Sequence, residues 1–127
     1  MNVDEKQLQM IRELSDAPGP SGFEDEVLKV ARRYAEPLGR IEEDFLRNFY
    51  IYRKENAGGK PVLMLDAHAD EVGFMIHSIK PNGCLRFVTL GGWNKNSLVS
   101  QKVLVRNAKG EYIPGIIASK PVHFMSA

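Results

Sequence analysis

The chain has 127 residues, a length common for one domain that can bury a core of its own. Its 17 basic and 16 acidic side chains leave a formal charge of +1, and no apolar run approaches the roughly 20 residues of a membrane helix, so we expect neither a nucleic acid nor a membrane as partner. The single cysteine, Cys84, excludes an internal disulfide and a zinc site of clustered thiolates, which favours a cytoplasmic protein.

The first predicted element is a helix over residues 2–14. Asn2 and Glu5 have the spacing of a capping box, in which two side chains satisfy backbone N–H groups at the helix start. Apolar residues recur on one face of this helix, which predicts that it packs on a sheet. Two prolines and a glycine within residues 17–20 then end the helix.

A second helix is predicted to end near residues 37–39. Ser21 and Glu24 repeat the spacing of a capping box, and apolar residues follow at helical intervals. We interpret the stretch from Ser21 to Glu24 as a well-made helix start rather than as part of a site.

Alternating apolar and polar positions predict two strands over residues 40–54, with a turn at Arg47 and Asn48. Residues 55–60 are polar and rich in glycine, as expected for a loop that connects into a central strand. This central strand is residues 62–65, which are continuously apolar and are therefore predicted to be buried on both faces of an α/β sheet.

Beyond residue 73 the pattern predicts strands only. A hairpin over residues 74–88 turns at an Asn-Gly pair, which is a strong turn signal between apolar runs. Strands over residues 101–106 and 111–118 follow, joined by a polar turn. Pro114 in the last strand indicates an edge or a bulge, because proline cannot donate to a strand ladder.

The most informative residues follow the predicted central strand, where acids surround a histidine. Open α/β sheets bind ligands beyond the carboxyl ends of their strands. His68 would give one ring nitrogen to a divalent cation, while Asp70 accepts a hydrogen bond from the other nitrogen and fixes the tautomer. Asp66 and Glu71 add negative charge nearby. A surface histidine that is paired with a local carboxylate has the same spacing, so the spacing alone leaves both interpretations open.

The other candidate residues are better explained without a ligand. His77 lies in an alternating strand with one wet face, and we assign no metal role to His123. Residues 91–93, Gly-Gly-Trp, are predicted to form a tight turn with a packed Trp93, because no Lys-Ser, Lys-Thr or helix start follows them as in a phosphate loop. Lys120 is expected to be a solvated loop lysine.

Four stretches carry a resemblance that covers essentially the whole chain: residues 17–24, 66–73, 91–93 and 113–123. In sequence and order they resemble the motifs of the tetrahedral glutamyl and deblocking aminopeptidases, dinuclear metallopeptidases that are sometimes labelled glucanases. In that family the Gly-Phe-Glu turn of the first stretch lies close to the active site. The family usually has glycine at the position of Arg47, so we expect a turn of a different shape here.

The resemblance implies that His68 is a metal ligand and that Asp70 is the catalytic-site acid that orients it. It also implies two divalent metal ions, zinc or cobalt, in the complete enzyme, which would remove N-terminal residues from peptide substrates. The further ligands and a glutamate general base would lie beyond residue 127, so the chain resembles the N-terminal third of such an enzyme. Homo-oligomers are implied as well, with dimers that assemble into a dodecamer.

The predicted fold class is α/β. Helices interleave with strands before residue 73 and strands alone follow, which predicts two structural units. With the resemblance, residues 1–72 would be the N-terminal part of a zinc-peptidase-like α/β catalytic domain, and residues 73–127 most of an inserted, barrel-like β dimerisation domain.

Two rival functions stay open. The chain could be catalytically silent and act as an assembly module with a β-rich dimerisation unit. It could also hydrolyse glycosides with paired carboxylates such as Asp66 and Glu71, although a histidine between two acids suits a cation better.

Overall fold

The computed structural model describes residues 4–55, 58 and 61–119. In these residues two helices are followed by three antiparallel hairpins, so the fold is mixed α/β with small sheets, which agrees with the predicted class at that level. In chain order the elements are α1 (Glu5–Asp16), α2 (Asp25–Ala35), β1 (Gly39–Glu43), β2 (Phe49–Arg53), β3 (Gly73–Ile79), β4 (Leu85–Leu90), a 3₁₀ turn (Lys95–Ser97), β5 (Lys102–Arg106) and β6 (Tyr112–Ile116).

The chain divides into two compact units, Met1–Gly91 and Gly92–Ala127. The first unit holds both helices and the hairpins β1–β2 and β3–β4, and the second holds the 3₁₀ turn and the hairpin β5–β6. The predicted division into a catalytic part, 1–72, and a dimerisation domain, 73–127, stays a prediction. Within the described ranges, no helix has the length and apolar character needed to cross a membrane.

Helix α1 begins at Glu5 because Asp4 caps it. The Asp4 carboxylate accepts the Lys6 N–H at 3.4 Å, and the Asp4 N–H donates to Oε1 of Gln7 at 3.3 Å, which completes a capping box. The predicted capping pair of Asn2 and Glu5 is therefore wrong, and Asn2 itself lies outside the described residues. An equivalent box two residues further along forms instead, and α1 packs on α2 rather than on a sheet.

Among the described residues of the first unit, the buried apolar side chains lie on helix α2: Val27, Leu28 and Ala35. The predicted capping box at Ser21 and Glu24 is wrong. Glu24 stands at the N-cap position without a side-chain cap, and its carboxylate accepts the Gly22 N–H at 2.7 Å. The Ser21 hydroxyl donates instead to the carboxylate of Asp70.

The hairpin β1–β2 forms as predicted, with Ile41 opposite Ile51. The expectation that its turn would avoid a left-handed residue is wrong, because Arg47 has a φ of 69°. Ion pairs hold this arginine in place: its guanidinium lies 2.7 Å from Oδ1 of Asp25 and 3.2 Å from Oε1 of Glu43. These contacts offset part of the strain that a side chain has at positive φ.

The predicted hairpin after residue 73 is confirmed as β3–β4. Its turn is closed by the Lys80 N–H, which donates to the Cys84 carbonyl at 2.8 Å, and Gly83 has a φ of 81° as the turn requires. A bulge between Ile76 and Ser78 interrupts the ladder. The strands predicted on either side of the 107–110 turn are confirmed as β5 and β6.

The prediction of a buried strand at residues 62–65 is wrong. These four residues have no strand assignment, and their exposed fractions run from 73% for Val62 to 89% for Leu65. A strand exists only where a neighbour takes its backbone hydrogen bonds, and none of the described residues provides such a neighbour.

Candidate metal site

Residues 66–73 follow the exposed segment 62–65. The loop between α1 and α2 holds them at Glu71. The Glu71 N–H donates to the Gly19 carbonyl at 2.8 Å, and the Gly19 N–H donates to Oε1 of Glu71 at 3.0 Å. Pro20 and Glu71 form an isolated parallel bridge. A Cβ at Gly73 would lie 2.6 Å from Cβ of Pro20, so only glycine allows this approach.

The His68 side chain contacts Asp70, the residue just before Glu71. Nδ1 of His68 is 2.9 Å from the Asp70 carbonyl oxygen and 3.0 Å from Oδ1 of its carboxylate. Because both oxygens can only accept, Nδ1 carries the proton and Nε2 carries the lone pair of the neutral ring. The His68 side chain is 86% exposed, so Nε2 is accessible to a ligand from solvent.

Ser21 reaches the same carboxylate from the other side. Its hydroxyl donates a short hydrogen bond to Oδ2 of Asp70, which leaves Oδ1 for His68. This hydrogen bond is the largest cause that holds the pKa of Asp70 below its ordinary value. Desolvation, the next largest cause, acts in the opposite direction, and the hydrogen bond from His68 adds to the lowering. The carboxylate is therefore kept in the ionised form, which is the form that accepts from both donors.

A tight turn presents Ser21 to the carboxylate. The Phe23 N–H donates to the Pro20 carbonyl at 2.8 Å, and Gly22 has the positive φ, 86°, of the third residue of a type II turn. Ser21 is not predicted as a site residue from the sequence, because its capping-box spacing to Glu24 offers a local explanation for the same residue. The signal that pointed to it was the Pro-Ser-Gly run itself, which is typical of a turn.

The other candidate residues that the structure describes do not form a cluster with His68. Glu71 is engaged by Gly19, and His77 lies exposed on β3, where its Nδ1 is 3.4 Å from Oγ of Ser78. His123 and Lys120 lie outside the described residues.

The donor set fits one coordination position of a metal site. Imidazole nitrogen is a usual ligand of zinc and cobalt, and a carboxylate on the second ring nitrogen is the usual outer partner of such a ligand. A catalytic zinc takes three protein ligands, and the part of the chain that the structure describes contains no group of three His, Cys, Asp or Glu side chains that could hold an ion. His68 and Asp70 therefore offer a single coordination position, through Nε2 of His68.

Two family models match the chain. The model described as M42 glutamyl aminopeptidase matches residues 48–127, and a model described as AMPT matches residues 5–30. The first match covers the His68 and Asp70 motif, both hairpins after it and the last of the four stretches.

Relatives and solved structures agree with this match. The glutamyl aminopeptidase of Lactococcus lactis is 33% identical over 116 residues, which are 91% of this chain and 33% of that protein. The TET aminopeptidase of a marine sediment Thaumarchaeota archaeon is 40% identical with a TM-score of 0.88, over 96% of this chain and 34% of that one. The TET1 peptidase of Pyrococcus horikoshii is 26% identical with a TM-score of 0.77, over 92% of this chain and 34% of that one.

The chain thus spans about a third of the length of the relatives it matches. The family model covers more than half of the chain, from Asn48 onward, and the resemblance seen in the four sequence stretches is confirmed. The chain belongs to the M42 glutamyl aminopeptidase family.

Proposed function

We propose that residues 1–127 are part of a metal-dependent aminopeptidase in which His68 ligates one of two divalent ions, zinc or cobalt. The observation that carries the proposal is the pairing of His68 with Asp70. The Asp70 oxygens lie 2.9 and 3.0 Å from Nδ1, which leaves Nε2 as the free, exposed donor. Membership of an aminopeptidase family supplies the reaction class.

In this proposal each residue has a limited task. Asp70 fixes the tautomer and the orientation of the His68 ring, and His68 offers Nε2 at a position open to solvent. When bound, a metal pair supplies an activated water and polarises the scissile carbonyl of the substrate's first residue. The other ligands and the general base come from groups beyond the described residues, which hold no cluster of three possible ligands.

The substrates would be peptides, cut at their N-terminal residue, and the setting would be cytoplasmic. We also propose a homo-oligomer built from dimers, with residues 73–127 contributing to dimerisation. Two similar solved structures support this: one is a dodecamer, and the other, the TET1 peptidase of Pyrococcus horikoshii, can assemble into a tetrahedron or a large octahedral shell. The second unit leaves apolar side chains open to a partner: Leu104 is 61% exposed and Ile116 69%.

The assembly role alone is the second candidate function. It is favoured by the exposed apolar residues of β5 and β6 and by the lack of a complete ligand cluster among the described residues. Glycoside hydrolysis by Asp66 and Glu71 has less support, since Glu71 is occupied by the Gly19 N–H.

The test measures bound metal and peptidase activity together. Three proteins are compared, each in the longest form of the protein that contains residues 1–127: the wild type, His68→Ala and the control His77→Ala. Each is purified and loaded with zinc or cobalt. Elemental analysis then gives the bound metal, and aminoacyl substrates give the peptidase rate. We expect His68→Ala to lose tightly bound metal and activity, and His77→Ala to keep both. Equal metal content and rate in all three proteins would overturn the proposal, and a wild type without peptidase activity that forms stable oligomers would favour the assembly role.

A further inference from the structure

The geometry points to Ser21 as a positioning residue for the metal ligand. Its hydroxyl holds the Asp70 carboxylate in the orientation that keeps the proton on Nδ1 of His68 and presents Nε2 to a cation. This inference rests on the proposed function and deepens it, since Ser21 lies in a different loop from His68 and acts on it through Asp70.

The Asp70 carboxylate has two oxygens, and each takes a different donor. Oδ1 lies 3.0 Å from Nδ1 of His68, and Oδ2 accepts from the Ser21 hydroxyl. The terminal torsion of an aspartate is broad and nearly two-fold, so a carboxylate with one partner rotates easily. With a donor at each oxygen, rotation about this torsion breaks one hydrogen bond, and the plane of the carboxylate is fixed. The ring of His68 is fixed with it.

The position of Ser21 is itself set by contacts on both sides. The Pro20 to Phe23 turn fixes its backbone, with the Phe23 N–H on the Pro20 carbonyl at 2.8 Å. The Pro20 side of the turn is attached to the motif through the paired hydrogen bonds of Gly19 and Glu71, at 2.8 and 3.0 Å. Ser21 and Asp70 are 49 positions apart in sequence, so the fold rather than local geometry brings them together.

A purely structural role for Ser21 would also hold the loop in place, and the test must separate the two roles. The tautomer of His68 does so, because a change in the orientation of the Asp70 carboxylate leaves the Asp70 carbonyl oxygen as the remaining acceptor for the proton on Nδ1. The proton is then redistributed toward Nε2. The tautomer is measured on the metal-free 127-residue chain by two-bond ¹H–¹⁵N NMR of the imidazoles at alkaline pH, where the rings are neutral.

The variants are Ser21→Ala, the conservative Ser21→Thr, and Ser15→Ala as the matched control, since Ser15 is exposed on α1. We expect Ser21→Ala to lower the ratio of the Nδ1–H to the Nε2–H tautomer of His68 by about twofold to tenfold, which is the effect of one hydrogen bond of ordinary strength. Ser21→Thr keeps a hydroxyl and should restore the wild-type ratio, and Ser15→Ala should not change it. Backbone amide spectra show whether each variant keeps the fold.

A second measurement follows the metal. It uses the longest form of the protein that contains residues 1–127 and determines zinc affinity by competition with a chelator. The affinity should fall about tenfold in Ser21→Ala, which is the lower end of the loss seen when a residue that supports a metal ligand is replaced. An unchanged His68 tautomer in a folded Ser21→Ala would overturn the inference, whatever the metal result. Unchanged metal binding in His68→Ala would instead overturn the proposed function, and the metal-free tautomer ratio would still decide the role of Ser21.

Discussion

Replacement of Gly73 by alanine tests how closely the α1–α2 loop packs against the stretch that contains His68 and Asp70. The new Cβ would lie 2.6 Å from Cβ of Pro20, whereas apolar carbons pack at about 3.5–4.0 Å. The proline ring cannot rotate out of the way, because its φ is locked. The loop must therefore move by roughly 1 Å, which is the difference between these distances.

That movement breaks the contacts that anchor the motif. The two hydrogen bonds between Gly19 and Glu71, now 2.8 and 3.0 Å long, would stretch beyond hydrogen-bonding range. Overpacking of this kind costs about 1–3 kcal/mol. The lost hydrogen bonds add to this cost, and the gain of up to about 1 kcal/mol from replacing glycine in the unfolded chain offsets part of it. We expect a net loss of about 1–3 kcal/mol.

Gly92→Ala is the matched control, because a Cβ at Gly92 meets no atom within 4 Å and its φ is not in the left-handed range. Urea unfolding gives the stability of both variants, and hydrogen exchange of the Glu71 amide reports the anchor directly. Gly73→Ala should lower the urea midpoint and speed exchange at Glu71, while Gly92→Ala should leave both nearly unchanged. Equal midpoints and equal exchange rates in the two variants would refute the reasoning.

Two further predictions concern the packing and the pH dependence of the fold. Leu28 is 5% exposed and Leu104 is 61% exposed. In urea unfolding, Leu28→Ala should therefore lower the free energy of unfolding by about 2–5 kcal/mol, and Leu104→Ala by less than about 1 kcal/mol. Similar losses in the two variants would contradict the assignment of Leu28 to the core. The Asn48 side chain, with the backbone N–H groups of Asn48 and Leu46, holds the pKa of Asp44 below its ordinary 3.8. The stability from Asp44 is therefore complete above the unfolded pKa and is lost as the pH falls through the lower folded pKa. Asp44→Asn should thus be less stable than the wild type near pH 7, and a difference that does not shrink between pH 5 and pH 2 would contradict this.

The hairpins were predictable because the information for each is local. The Asn-Gly turn before β4 requires the positive φ that Gly83 has, 81°, and the strands on either side follow from it. Helix α1 was predicted for the same reason, although Asp4 rather than Asn2 forms the cap. The spacing of His68 and Asp70 is also local, two residues apart, so their hydrogen bond could be expected from sequence.

The features that the sequence did not reveal depend on distant partners. The apolar pattern of residues 62–65 indicates a buried strand, but strand formation requires a neighbour, and the described residues supply none. The contact between Ser21 and Asp70 joins two loops 49 positions apart, and no spacing rule points to it. At Arg47, ion pairs with Asp25 and Glu43 support a backbone conformation that residue preference alone argued against.

The central claim is that Nε2 of His68 is the atom that binds metal. It is tested most directly by zinc titration of the ¹⁵N-histidine-labelled 127-residue chain, followed by NMR, which detects binding even to a single ligand. We expect the Nε2 resonance of His68 to shift with added zinc, while Nδ1 keeps its proton and its hydrogen bond to Asp70. A shift centred on Nδ1, or a His68 resonance no more sensitive to zinc than that of His77, would contradict it.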